Sequence, residues 1–253
     1  MTVIQVLQVA GLLLAGVAAG GLNAVAGGGS LITYPTLIAV GVPPLYANAT
    51  NGIAVAPAYA AAAFGSRDNL RGQGRRALGL IPTALVASVC GTILLLNTSH
   101  AAFEAIVPFL VLLATLLMAV GPWVNRMVTR LNGDRPLHPV ALHGGVFLGC
   151  MYGSYFNAAL GLVLIAVIAM SLTESLVRVG ALKNFCTFIV GVVTSVVYGI
   201  WADVAWWAIG ILVPATFLGG YLGARVFQKL PEKPLRIAIV VYGFVLSLIL
   251  LVR

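Results

Sequence analysis

The chain has 253 residues, of which 61% are hydrophobic and only 8% are charged, and its mean hydropathy is +1.07. Soluble domains carry about a quarter charged residues, so this composition excludes a soluble globular protein. Apolar runs of about 20 residues, the length that crosses a bilayer, recur along the whole chain and leave no soluble domain over. The net charge of +8 fits basic loops between membrane helices, and no nucleic-acid partner is expected.

The first half of the chain begins with a long apolar segment that ends in three consecutive glycines, Gly27 to Gly29. Because glycine is a poor helix former, this run predicts a break in the helix. The apolar piece that follows, residues 30–40, has about half the length of a spanning helix. A glycine break beside a short apolar piece is typical of transporter binding sites. We therefore predict half of a substrate site here.

Seven other segments are long enough to span a bilayer or nearly so. They are residues 3–26, 47–65, 77–97, 101–122, 180–200, 205–224 and 237–252. In the second half, apolar pieces at 139–152 and 155–170 surround a second interruption, GCMYGSYFN. The basic loops are residues 66–76, 123–138 and 225–236. If these loops and Arg178 face the cytoplasm, twelve of the fourteen Lys and Arg residues lie inside, and both termini are external.

The two halves of the chain resemble each other. Matching positions are Gly16 and Gly145, Asn51 and Asn184, Pro82 and Pro214, and Gly91 and Gly223. The loop at 66–76 is basic whereas its counterpart at 201–204 is not, so corresponding loops lie on opposite sides of the membrane. This is the pattern of inverted-topology repeats. Chance similarity between glycine-rich apolar segments is the alternative.

The predicted fold is therefore an all-α polytopic membrane protein with two inverted-topology repeats, whose broken or short helices meet near the bilayer midplane. The predicted divisions are transmembrane repeat 1 at 1–122, a cytoplasmic basic linker at 123–138 and transmembrane repeat 2 at 139–253.

Polar residues cluster around both breaks and are candidate ligands for an anion. N–H groups at the start of a half-helix bind anions with help from the helix dipole, and amide and hydroxyl side chains add donors. Lys183 would supply positive charge, since a lysine inside an apolar segment is costly and by default functional. The candidate substrate-binding residues are Asn23, Gly27, Gly28, Gly29, Ser30, Asn48, Thr50, Asn51, Tyr152, Ser154, Asn157, Lys183 and Asn184. The alternatives are close helix packing at the glycines, interhelical bonds by the asparagines, and a Lys183 that snorkels to the cytoplasmic end of its helix.

Other residues favour structural roles. Glu174 and Arg178, four apart, predict a pair within one helix. The cysteines, predicted to be small buried residues, are Cys90, Cys150 and Cys186. The aromatic residues that fit an interfacial belt are Tyr34, Tyr46, Trp201, Trp206 and Trp207. The sequence holds no carboxylate pair within a segment, Cys/His metal set, nucleophile elbow or Walker lysine, so we expect no enzyme, no metal and no cofactor.

The stretch AVAGGGSLITYPTLIAVGVPPLYANATN resembles the TauE/SafE family, known as the sulfite exporter family. GGVFLGCMYGSYFNAALGL followed by LVRVGALKN is similar to the family's second glycine-rich repeat, and the resemblance runs from about Gly16 to Leu250. It implies a permease of the bacterial inner membrane that moves sulfur-containing anions such as sulfite and organosulfonates, often outward. The bulky Tyr152, Tyr155 and Phe156 depart from the family's second glycine run, so the two half-sites need not be equivalent.

Together these patterns predict a secondary transporter, and an exporter, of a small sulfur-containing anion. N–H groups near Gly27–Ser30, the Asn51/Asn184 pair and Lys183 would hold the anion. The expected partners are the lipid bilayer, the anionic substrate and, if transport is coupled, a proton or another ion; no oligomeric state is predicted. Two other classes stay open, an anion channel and a membrane scaffold or assembly subunit whose glycines serve packing only.

Overall fold

A computed structural model describes residues 3–25, 27–131, 139–172, 174–223 and 232–252. Within these ranges the chain forms ten α-helices, a short 3-10 helix at Arg67–Leu70 and no strand. The helices are α1 (Val3–Val25), α2 (Ser30–Ala39), α3 (Pro44–Gly65), α4 (Gly74–Leu96), α5 (His100–Leu131), α6 (Pro139–Tyr155), α7 (Leu160–Ser171), α8 (Leu176–Trp201), α9 (Trp206–Gly223) and α10 (Glu232–Val252). The prediction of an all-α membrane protein is confirmed.

Two of the helices are much shorter than the others. α2 has 10 residues and α7 has 12, about half of what a bilayer requires. Four helical segments in the described part of the chain are long and apolar enough to span: Ile4–Asn23, Gly74–Leu96, His100–Gly121 and Leu176–Trp201. The predicted break at Gly27–Gly29 is confirmed, since α1 ends at Val25 and α2 begins at Ser30.

The second break lies later than predicted. α6 continues to Tyr155, so most of GCMYGSYFN is helical and the break covers residues 156–159. The glycines of this stretch serve packing: a methyl group added to Gly153 would lie 2.3 Å from Leu160 Cδ1, and one added to Gly145 would lie 2.4 Å from Val167 Cγ1. Small residues let α7 fold back tightly along α6 without interrupting it.

Two predicted loops are partly helical. α5 continues nine residues into the predicted linker at 123–138, and α10 begins at Glu232, inside the predicted loop at 225–236. Residues 123–131 contain no glycine or proline, so nothing in the sequence stops α5 where its apolar part ends. The remaining parts of these loops, 132–138 and 225–231, lie outside the described residues, as does residue 224 at the end of the preceding segment.

α1 packs tightly along α9. A methyl group added to Gly16 would lie 2.6 Å from Ala215 Cβ, and one added to Gly20 would lie 2.1 Å from the Thr216 carbonyl oxygen. Positions 16 and 20 therefore meet positions 215 and 216 in the same order, and the two helices run parallel. Such close backbone approach is typical of membrane helix pairs.

α3 also runs parallel to α9, and α4 returns in the opposite direction after the loop at 66–73. The Thr216 hydroxyl donates to the Ala54 carbonyl over 2.7 Å, and Gly220 lies against Ala58. α4 is in turn parallel to α6, since Thr83 Oγ1 lies 2.7 Å from His143 Nδ1 and Gly91 packs on Met151. Thus α1, α3 and α9 run one way, and α4 and α6 run the other.

Two predicted burials are wrong. Cys90 is exposed, on the face of α4 that also exposes Val86 and Ile93, although Cys150 and Cys186 are buried as predicted. Tyr34, predicted in the interfacial belt, is only 2% exposed, and its ring packs edge-on against Phe156 with centroids 5.4 Å apart. Tyr34 lies in the short helix α2, which neighbouring helices enclose, so it is buried in protein and not at the membrane interface.

The cysteines give a direct test of this packing. In detergent we expect N-ethylmaleimide, which enters the micelle, to label Cys90 faster than the other two thiols, because Cys90 lies on the outer, lipid-facing surface of α4 whereas Cys150 and Cys186 are enclosed by protein. Cys150 and Cys186 should react only after denaturation. Peptide mass spectrometry before and after unfolding measures the three sites, and rapid labelling of Cys186 in the folded protein would contradict the packing of α8.

Candidate functional site

The two breaks meet backbone to backbone. A methyl group added to Gly27 would lie 2.7 Å from Gly161 Cα, and one added to Gly161 would lie 2.8 Å from Gly27 Cα. Carbon atoms do not approach this closely, so only glycine fits at either position. The start of α7 therefore lies directly against the break between α1 and α2. We call this place the junction, defined by Gly27, Ser30, Asn157 and Gly161.

Both short helices begin at the junction and run away from it in opposite directions. α2 returns along α1, since Gly29 lies against Ala19 and Gln8 Nε2 donates to the Val40 carbonyl over 3.4 Å. α7 returns along α6 in the same manner, and α1 and α6 are antiparallel. The positive ends of both helix dipoles therefore lie at the junction.

Each break turns through a left-handed residue. Gly27 has φ of +71°, and Ala159 at the second break has φ of 60° and ψ of 12°. An alanine in this region costs about 1–2 kcal/mol, so the surrounding packing must hold it there. Sequence analysis did not identify Ala159, because an alanine gives no sign that its backbone will adopt a left-handed conformation.

Asn23 organises the first break. Its Oδ1 accepts the N–H groups of Gly28 at 3.0 Å and Gly29 at 2.8 Å, and the N–H of Gly27 donates to the Leu22 carbonyl at 3.1 Å. These three N–H groups are therefore engaged within the protein, whereas the sequence hypothesis assigned them to the anion. The donor left over is Asn23 Nδ2, which is buried and has no hydrogen-bond partner in the described structure.

Asn157 has the equivalent arrangement at the second break. Its Oδ1 accepts the Ser30 hydroxyl at 3.2 Å and the Tyr59 hydroxyl at 2.5 Å, so it ties α2 and α3 to the start of α7. Its Nδ2 is buried and, within the described ranges, unpartnered. Each break thus fixes an amide oxygen in the protein and leaves an amide N–H group unused. Sequence analysis did not identify Tyr59 as a site residue. The available signal was a single tyrosine within a run of alanines.

Lys183 brings a positive charge to the same place. The residue is 4% exposed, and its Cδ lies 3.6 Å from the position of a methyl group on Gly161. None of the ion pairs among the described residues includes Lys183. A buried cation without a carboxylate is unfavourable unless another negative group joins it. The junction therefore combines an ammonium, two amide donors and two helix N-termini, which together suit an anion.

Asn51 and Asn184 do not form a pair. Asn51 Oδ1 accepts the Thr33 hydroxyl at 2.5 Å, whereas Asn184 Nδ2 donates to Ser66 Oγ at 3.0 Å and to the Ala62 carbonyl at 3.3 Å. Ala62 is eleven residues beyond Asn51, about 16 Å along the helix. The two residues therefore lie at different levels of the protein.

Four other candidates form hydrogen bonds with structural partners. Asn48 Nδ2 donates to the Tyr155 carbonyl at 2.7 Å, and Thr50 Oγ1 accepts the Ala205 N–H at 2.9 Å. Tyr152 donates to the Ala158 carbonyl at 2.9 Å, and Ser154 Oγ donates to the Cys150 carbonyl at 2.8 Å. These bonds hold the ends of α6, α3 and α9 in place. The candidates gathered at the junction are Asn23, Gly27, Gly28, Gly29, Ser30, Asn157 and Lys183.

Comparison with known proteins agrees with this architecture. The model of one family, "Sulfite exporter TauE/SafE", matches residues 12–250. A "Probable membrane transporter protein" of Haemophilus influenzae is 25% identical, with 89% of this chain and 88% of that protein covered. The Escherichia coli K12 "Probable membrane transporter protein YfcA" is 26% identical over 90% and 84% of the two chains. A Sinorhizobium relative, "Probable membrane transporter protein ORF9", is 28% identical over 92% and 88%. No solved structure matches the chain.

Proposed function

Because the chain belongs to the TauE/SafE family, whose members are membrane transporters and not enzymes, we propose that it transports a small sulfur-containing anion, such as sulfite or an organosulfonate, by alternating access. The observation that supports this proposal most directly is the junction. There the N-termini of two half-helices, the unused amide groups of Asn23 and Asn157, and the buried Lys183 converge. All of these groups are donors or positive, so they favour an anion over a cation.

The proposal includes two inverted repeats, α1–α5 and α6–α10. Its support is the exchange of contacts between the halves: α1 of the first packs on α9 of the second, and α6 of the second packs on α4 of the first. α3 packs on α8, and α5 on α10. A related pair of short helices meeting at a central site is the arrangement in which one half can rock against the other.

We further propose the bacterial inner membrane as the location, with both termini external, and export as the direction. The basic loops at 66–76, 123–138 and 225–236 then face the cytoplasm. Outward movement of one negative charge is favoured by about 2.3 kcal/mol per 100 mV of inside-negative potential. Export therefore needs no coupling ion, whereas uptake would require a proton or another ion.

The experiment is the thermal stability of the purified protein in sulfite, sulfate, thiosulfate, taurine, sulfoacetate and, as a non-sulfur control, lactate. A ligand that binds the folded state raises its apparent stability by mass action. We expect one sulfur anion to raise the Tm and to move across proteoliposomes. Stabilisation by lactate alone would contradict the sulfur substrate, and stabilisation by none would favour a scaffold. A turnover count beyond about 10⁵ per second would favour a channel.

Asn157→Asp tests the amide donor separately. The carboxylate keeps an oxygen for Ser30 and Tyr59 but replaces the N–H donor with an acceptor, so the anion-dependent rise in Tm should disappear. Asn97→Asp, the same change at an exposed residue, should leave the rise intact. An Asn157→Asp protein that still binds the anion at wild-type affinity would remove this amide from the site.

A further inference from the structure

The carboxylate of Glu174 bridges two arginines at the end of the protein that carries the 66–76 loop. Its Oε1 lies 2.6 Å from Arg76 Nη1 and its Oε2 lies 2.8 Å from Arg178 Nε. The predicted ion pair between Glu174 and Arg178 is confirmed, but Glu174 lies just before α8 and not within it, and Arg76 is an additional partner. The Glu174 side chain is 22% exposed, so solvent reaches the cluster without fully screening it.

This bridge joins two parts of the chain that are distant in sequence. Glu174 lies in the connection between α7 and α8, Arg178 in the first turn of α8, and Arg76 in the first turn of α4. Gln73, which is 1% exposed, adds a hydrogen bond from its Nε2 to the Arg178 carbonyl at 3.4 Å. The loop after α3 is thereby fastened to the connection that follows α7, and α7 begins at the junction.

The opposite end of the protein is arranged differently. The turn after α2 and the turn before α9 are separated by a cavity of about 320 Å³, lined by residues that include Gly41, Pro43, Tyr46 and Asp203. No ion pair joins these two turns in the part of the chain that the structure describes. One end is therefore held by charges while the other contains an open cavity.

We propose that Arg76 and Arg178 form an anion-binding site at the end of the protein that carries the 66–76 loop, and that Glu174 occupies this site as an internal carboxylate until a small oxyanion takes its place. Guanidinium groups bind carboxylates and other oxyanions through the same N–H donors. An arriving anion replaces the Glu174 contacts with equivalent ones to itself. The exchange breaks the contacts of Glu174 and so separates the α7–α8 connection from the α3–α4 loop. This inference rests on the proposed anion transport and adds an entry site to it.

The test measures KM for radiolabelled sulfite presented at the face of the 66–76 loop, in oriented proteoliposomes. Glu174→Gln and Glu174→Ala both remove the internal competitor, so we expect KM to fall about fivefold, the effect of roughly 1 kcal/mol. Arg76→Gln and Arg178→Gln each remove donors, so KM should rise by a similar factor. Arg71→Gln is the matched control, because among the described residues the ion pair of Arg71 is with the exposed Asp68 in the same loop, and KM should not change.

The opposite signs distinguish an entry site from a purely structural bridge. If Glu174 and the two arginines only fasten the loops together, all four variants should shift KM in the same direction, which would overturn this inference while leaving anion transport standing. A wild-type protein that moves no sulfite, nor any other anion of the stability panel, would overturn both. A fall in KM for the glutamate variants with a rise for the arginine variants supports the entry site.

Discussion

Lys183→Met should raise the stability of the anion-free protein and weaken anion binding strongly. Methionine keeps the length and apolar stem that lie against Gly161 but removes the ammonium. A lysine placed at the centre of a membrane helix costs about 2.5–3.5 kcal/mol, so removing the charge should stabilise the empty protein by an amount of that order. Loss of a buried partner to the anion should weaken binding about 100-fold, equivalent to about 3 kcal/mol. Thermal unfolding with and without sulfite measures both effects on one sample.

A rise in stability together with a loss of anion binding would distinguish a binding role of Lys183 from a packing role. Thr187→Val is the matched control on the same helix, since Thr187 is buried and its hydroxyl bonds only the Asn184 carbonyl of its own helix, at 2.9 Å. It should leave the sulfite-dependent shift unchanged. If Lys183→Met lowers the stability of the empty protein and keeps the sulfite response, Lys183 is a structural residue and the junction loses its central charge.

Features that depend on local backbone chemistry could be predicted from the sequence. Three consecutive glycines beside a piece too short to span can hardly form a continuous helix, and the structure has the break at Gly27–Gly29. Lys183 was identifiable for a similar reason, because its charge has no ordinary role inside an apolar segment. The glycine run and the buried lysine can each be recognised from a short stretch of sequence, without knowing which helices are in contact.

Features that depend on contacts between distant helices could not be predicted. Whether Gly153 breaks a helix or packs against one depends on Leu160, which lies on the returning helix α7. Likewise, Asn51 and Asn184 match when the two halves of the sequence are aligned, but they bond different partners. Asn51 faces Thr33 on α2, whereas Asn184 faces Ser66 at the end of α3. Similar positions in the two halves therefore do not determine side-chain partners, which follow from the particular residues on the facing surface.

The use of the first glycine run also illustrates this limit. Sequence reasoning identified free N–H groups at a half-helix start as the anion ligands. In the structure Asn23 accepts two of them, so the donor at the junction is its own Nδ2. The Oδ1 of Asn23 accepts two backbone N–H groups and is fixed by them, and its Nδ2 is then the donor without a partner in the described structure. A matching exchange occurs at Asn157, where two hydroxyl groups fix the oxygen.

Gly161→Ala should disrupt the junction. The new Cβ would lie 2.8 Å from Gly27 Cα, which is backbone and cannot rotate away, so the starts of α2 and α7 must separate. Overpacking of this kind costs about 1–3 kcal/mol, and displacement of Asn157 and Lys183 should reduce sulfite flux at least tenfold. Gly180→Ala is the control, because no atom lies within 4 Å of its added methyl group and the change should be neutral or stabilising by up to about 1 kcal/mol. Neither glycine has a positive φ, so the two variants differ in packing and not in backbone strain. Equal flux and equal Tm for the two variants would show that the half-helices do not meet at Gly27 and Gly161, and the site proposed between them would fail with that contact.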